Sequence, residues 1–249
     1  MKRLMISLGA LLLSASAAMA QGGAVTGTAQ AATPPPMTNL QIFPKDTPRP
    51  QVLATMQAFT QSLGVQCNYC HVQEGRGGRN DMASDDKPTK KAARGMMMLA
   101  REINTKLPEA VGKSADATTR VGCATCHHGV PIPKQITDIV TDAGTPAAGL
   151  AKYKELRDKF YGSASYDFSE TSLIAVAQRA NQANKADDAL AYLNANLEYF
   201  PKSARTYALM AQVKTGKGDK AGAIAAVEKV LEIDPNNAQA KAQLENLKK

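Results

Sequence analysis

Every cysteine in this chain belongs to one of two copies of the same pattern, Cys67-Asn-Tyr-Cys70-His71 and Cys123-Ala-Thr-Cys126-His127. C-x-x-C-H is the spacing for covalent attachment of a c-type haem. Two thiols three residues apart can both reach the vinyl groups of one porphyrin, while the adjacent histidine turns under it to ligate iron. The pattern predicts two haem c groups, the first on Cys67 and Cys70 and the second on Cys123 and Cys126, with His71 and His127 as proximal iron ligands. A single C-x-x-C also suits a thioredoxin-like redox pair, a disulfide or half of a zinc site, and two pairs could bind one zinc through four thiolates. None of these needs a histidine directly after the second cysteine. Here it follows both pairs, in a chain with only three histidines.

The N-terminus bears on location. Lys2 and Arg3 precede an apolar run from Leu4 to Ala18, and Ala18-Met19-Ala20 is a small-x-small cleavage site, so residues 1–20 read as a secretory signal peptide cut near Ala20. The run is too short for a spanning helix, and no other stretch approaches the necessary length of about 20 apolar residues. A soluble, exported, periplasmic protein is expected, in the compartment where c-type haem is attached. The cleavage site has no cysteine, so a lipid anchor is not expected. The formal charge of +8 falls to +6 without Lys2 and Arg3, which suits steering toward an acidic partner or anionic surface. The basic residues are scattered along polar helix faces without interleaved aromatics, which argues against nucleic acid.

An all-α fold follows from the absence of tryptophan, the few aromatics and the abundance of Ala, Lys, Leu and Met. A flexible leader over 21–38 precedes a dihaem cytochrome c domain over 39–135. A linker and bridging helix over 136–169 then lead to helical repeats over 170–249. In the haem segment the apolar spacing predicts one helix from about Arg49 to Leu63, with Val52, Leu53, Met56, Phe59 and Leu63 on one face. A second runs from about Pro88 to Lys106. Its stripe is Ala92, Ala93, Met96, Leu99, Ala100, Ile103 and Leu107, with Lys90, Arg94, Arg101 and Asn104 facing away.

Each iron needs a second axial ligand or stays open. His128 is the only spare histidine, and beside His127 it is badly placed to cross to the far face of the same haem. Methionine remains: a thioether is soft and uncharged, binds haem iron, and raises the potential relative to two imidazoles. On stripe position Met56 is assigned to the first iron and Met96 to the second, with Met97 and Met98 lying around the helix from the stripe. The competing reading is that these methionines fill gaps in a core.

Several segments together resemble a known family: Asn39-Leu-Gln-Ile-Phe-Pro-Lys-Asp46, Met56 on a helix ending in Leu63-Gly-Val-Gln-Cys67-Asn-Tyr-Cys70-His71, Ala83-Ser-Asp-Asp-Lys-Pro-Thr-Lys-Lys-Ala-Ala-Arg-Gly-Met96, and Cys123-Ala-Thr-Cys126-His127-His128-Gly129. Over about Asn39 to Pro133 the chain is similar to the cytochrome c subunit of photosynthetic reaction centres. The resemblance implies haems arranged as a helix, a turn and the attachment sequence, with methionine from the preceding helix as the usual sixth ligand. It also implies electron transfer to a photo-oxidised pair of pigments. The family subunit has four haems where this chain has attachment sites for two, so the chain looks like one repeat of that architecture. Redox proteins, a membrane electron-transfer complex or a reaction centre are the implied partners.

In the C-terminal third a shift of 34 residues superposes Ala189, Leu193 and Pro201 on Ala223, Val227 and Pro235, a period that resembles the tetratricopeptide repeat. Two repeats would span Glu170 to Asn237, with Ala238 to Lys249 as a capping helix. A helix over Ala147 to Tyr161 would bridge the modules. Such arrays usually need about three units, so part of their apolar face must be covered by the preceding helix, the haem domain or another protein.

An electron carrier rather than an enzyme is expected. A dihaem peroxidase would share the motifs but needs a displaceable sixth position and a distal acid or base. Glu74, Asp81, Asp85 and Asp86 read instead as a solvated loop cluster or caps of the following helix. A haem-bearing sensor or assembly protein built on the repeats is a third class.

Overall fold

The computed structural model describes residues 36–73 and 80–249. The signal peptide and most of the leader, together with Glu74, lie outside the described residues. Helix α1 spans Arg49–Leu63 and α2 Pro88–Ala110, followed by the short α3, Cys123–His127. Then come α4 Ile136–Asp142, α5 Pro146–Phe160, α6 Glu170–Gln182, α7 Ala186–Tyr199, α8 Ala204–Gly216, α9 Lys220–Ile233 and α10 Ala238–Lys248. Two-residue strands β1, Val72–Gln73, and β2, Asn80–Asp81, pair antiparallel with Val72 opposite Asp81. The fold is all-α.

Proline and glycine set the helix ends. Pro50 sits in the first turn of α1 and Pro88 opens α2, where a missing N–H costs nothing. Gly64, at φ 64°, ends α1 in the left-handed conformation. The expected α1 is found end for end, and α2 runs one turn past Lys106, through Pro108. The β1–β2 hairpin, α3 and α4 carry no periodic signal long enough to be read from sequence.

From Ile136 onward the chain has one continuous core. Ile136 and Val140 of α4 and Tyr153 and Leu156 of α5 join Leu173, Leu193, Val213 and Val227 of the later helices. Thus α4 and α5 share one core with the helix pairs. Helices α6 and α8 begin and end 34 residues apart, as do α7 and α9, and α10 starts 34 residues after α8. Ala189 and Ala223 are fully buried at the same place in successive pairs.

The haem segment is built differently. Among the described residues from 37 to 130 the buried hydrophobic side chains are Val52, Val72 and Val130, and the 23-residue α2 has no buried residue at all. The stripe expected to face a core, Met96, Leu99 and Ile103, is exposed, Met96 at 48%. The face expected to point away is instead the one that docks. Lys90 Nζ donates to the carbonyls of Met82, Ala83 and Ser84. Arg94 pairs with Asp85 at 2.8 Å, and Arg101 reaches the Ile42 carbonyl. Asn104 donates to Val121 O and accepts from Val121 N, both at 2.8 Å. Polar groups seek unpaired backbone carbonyls as readily as water, and the loops around α2 supply them. The acidic cluster is corrected as well. Asp85 is ion-paired, Asp81 caps its own turn through Ala83 and Ser84 N–H, and α2 begins after Lys87 without a side-chain cap.

Candidate haem centres

The first motif follows α1 directly. After Gly64 the chain enters a single 3₁₀ turn, Cys67–Tyr69, and His71 leads into β1. The hairpin brings Met82 back, and His71 Nδ1 lies 2.9 Å from the Met82 carbonyl. A ring N–H held by a carbonyl fixes tautomer and orientation and leaves Nε2 as the free lone pair, the form that ligates metal. Burial, with the nearby Lys90 and Arg94 cations, pushes the His71 pKa down, which keeps the ring neutral. Burial also pushes the Cys70 thiol up, against the Thr89 hydroxyl beside it. Thr89 Oγ1 donates to Tyr69 O and so ties the start of α2 to the motif.

The loop that presents Met82 is clamped from two sides. Asn39 and Gln41 donate to the Asp85 carboxylate at 3.0 and 3.1 Å, and Lys90 and Arg94 approach it from α2. The Arg94 guanidinium, chiefly through its hydrogen bond, holds the Asp85 carboxyl well below the usual range. Segments that stand far apart in the sequence, around Asn39, Asp85 and Arg94, thus meet in one network behind His71.

The second motif is itself a helix, α3. His127 Nδ1 meets the carbonyl of Val130 at 3.0 Å, within its own turn, where Val130 N also donates back to His127 O. Two other elements pin this turn. Gly129 N donates to Ser62 O at the end of α1, and Ser165 Oγ donates to His128 O at 2.6 Å from the loop after α5. His128 closes α3 in the left-handed conformation, φ 47°, with its side chain exposed.

All four cysteine thiols are free. Among the described residues no three His, Cys, Asp or Glu side chains converge on one point, so the two cysteine pairs do not form a joint four-thiolate cluster. Met56 lies half-buried in mid-α1. Met96 and Met98 are exposed on α2, and Met97 is half-buried against the protein. The donor set fits c-type haem: paired thiols, a histidine with its distal nitrogen free, and thioethers on apolar helix surface left open to a flat apolar group. Residues invisible to motif reading are the orienting carbonyls of Met82 and Val130, and Lys90. Main-chain acceptors leave no mark in a sequence, and a lysine on a helix reads as solvent-facing.

Among the described residues no helix is long and apolar enough to cross a membrane. A cytochrome c-554 of Chloroflexus aurantiacus is 38% identical over 86 residues, 32% of this chain and 18% of that protein. The photosynthetic reaction center cytochrome c subunit of Thermochromatium tepidum is 38% identical over 108 residues, 43% of this chain and 23% of the relative. That of Roseobacter denitrificans is 26% identical over 159 residues, 62% and 42% of the two chains. The chain therefore spans well under half the length of these relatives. The sequence profile of one family matches residues 36–239, running past the haem segment through both helix pairs. With most of its length matched in this way, the chain belongs to the photosynthetic reaction centre cytochrome c subunit family.

Proposed function

We propose that this protein is an exported, periplasmic c-type cytochrome that carries two covalently bound haem c groups and passes electrons between redox partners. One observation supports this best. Both motifs repeat a single arrangement, two free thiols and a histidine whose Nδ1 is tied to a main-chain carbonyl. When bound, the haem iron supplies one-electron exchange. Cys67, Cys70, Cys123 and Cys126 form the thioether links. His71 and His127 present Nε2 in a fixed orientation. Met56 and Met96 would supply the thioether ligands of the two irons, which would favour electron transfer over ligand chemistry.

The relatives' names attach them to a photosynthetic reaction center. A reaction centre or another membrane electron-transfer complex is the proposed partner class, and the net charge of +6 that remains without Lys2 and Arg3 favours an acidic docking face. Helices α6 to α9 are proposed as two tetratricopeptide-like repeats capped by α10, a module for protein contact, supported by their 34-residue register.

The test is a reduced-minus-oxidised spectrum of the exported protein, haem quantified per chain, and carbon monoxide addition to the reduced form. Two low-spin haems indifferent to carbon monoxide are expected. A haem that binds it readily would move the reading to peroxidase or sensor chemistry, and a chain without covalent haem would end it. Met56→Ala and Met96→Ala should each lower the potential of one haem and open it to carbon monoxide. An unchanged spectrum removes that methionine from the ligand set.

A further inference from the structure

We infer that Lys90 is a positioning residue that raises the reduction potential of the haem at the first motif, acting through the Met82 carbonyl that it shares with His71. The inference rests on the haem reading above.

Two donors meet on one acceptor. The Lys90 ammonium and the His71 Nδ1 each lie 2.9 Å from Met82 O, and a carbonyl has two lone pairs to receive them. Lys90 is committed to this position. Its Nζ also donates to Ala83 O at 2.9 Å and Ser84 O at 2.8 Å, and its side chain is only 11% exposed. All three protons of the ammonium are thereby directed at successive carbonyls of one loop. Asp85, next in the same loop, lies 3.4 Å from the ammonium and is itself held by Arg94.

Two physical effects follow, and they have the same sign. A carbonyl already bonded to an ammonium is a weaker acceptor for the imidazole N–H. The ring then keeps less negative character and donates less to ferric iron, which destabilises the oxidised form. The fixed positive charge beside the ring also favours the reduced, less positive iron. The second motif orients His127 by another means, a carbonyl from its own tight turn, with Val130 N donating back to His127 O. It is therefore an internal control within the same chain.

The experiment compares haem content and redox titrations of the full, haem-loaded protein with those of Lys90→Gln and Lys90→Arg. Glutamine removes the charge and arginine retains it. In Lys90→Gln one of the two potentials should fall, by a roughly tenfold change in the oxidised-to-reduced ratio or about 59 mV for one electron, while the other stays. Lys90→Arg should return most of the shift. Two attached haems with both potentials unmoved in Lys90→Gln overturn the inference, as does an arginine variant as low as the glutamine one, which would leave Lys90 a merely structural role. A wild-type chain lacking haem on Cys67 and Cys70 overturns the haem reading itself, and the inference with it. Should Lys90→Gln fail to accumulate, Lys90→Met, which keeps the apolar stem and removes the charge, takes its place: the same potential must fall, and two attached haems with both potentials unmoved defeat the proposal.

Discussion

Gly64 and Gly129 touch across the end of α1 and the turn after α3, and Gly64 has no room for a side chain. Gly64 has φ 64°, and a Cβ there would run into the Gly129 carbonyl, whose own N–H is bonded to Ser62 O. Gly64→Ala combines a left-handed backbone with a backbone collision, so it should cost about 2 kcal/mol or more. Denaturant unfolding checks this, and the damage should reach both C-x-x-C-H motifs, because α1 leads to one and its end is bonded to the turn after the other. At Asp85 the consequence is a pH dependence. Its folded pKa is depressed, so its contribution is present above the unfolded value of about 4 and is lost as pH falls toward the folded one. The stability gap between wild type and Asp85→Asn should be fully open at about pH 6 and shrink steadily below about pH 4, as read by urea midpoints. A gap that widens on acidification would contradict the assignment.

Helix α2 is the element whose sequence and structure disagree most usefully. Its ends and its apolar stripe are legible, because Pro88 opens it and the period of Met96, Leu99 and Ile103 is helical. Which face docks on protein is not legible. That depends on the carbonyls of Asn39, Ile42, Met82 and Val121, supplied by loops whose course no periodicity encodes. The stripe is apolar for a reason, but its partner is not a side-chain core. Leu99→Ser should therefore change the stability of a haem-free chain by less than about 0.5 kcal/mol, and that of the loaded protein by about 1–3 kcal/mol. Equal effects in both forms would remove the haem from that face. In α7, by contrast, burial was readable from the 34-residue period. Leu193 is fully buried, and Leu193→Ala should cost about 2–5 kcal/mol whether or not haem is present, measured by thermal or denaturant unfolding.

On the scale of the molecule, the chain divides by what stabilises it. Ile136 to Ala240 encloses a continuous side-chain core, whereas the segment before it rests on hydrogen-bonded loops around helices with little burial. Limited proteolysis of a haem-free chain should remove the segment from 37 to about 130 first and leave a resistant fragment from about Ile136 onward; haem attachment should protect both. Rapid digestion throughout would show that the C-terminal core depends on haem as well. The two halves are joined at small points, such as the Ser165 hydroxyl on His128 O.

The matched ends of the helix pairs carry one more consequence. Because α6 and α8, and likewise α7 and α9, recur at one fixed interval, and α10 begins where a further pair would begin, the array has a grammar of insertion. A duplicate of 204–237 spliced in before α10 would meet the neighbours each pair already meets and would hand the same terminal seam to the cap. Such a chain would lengthen its helical array by whole units while α4 and α5 kept the neighbours they already have.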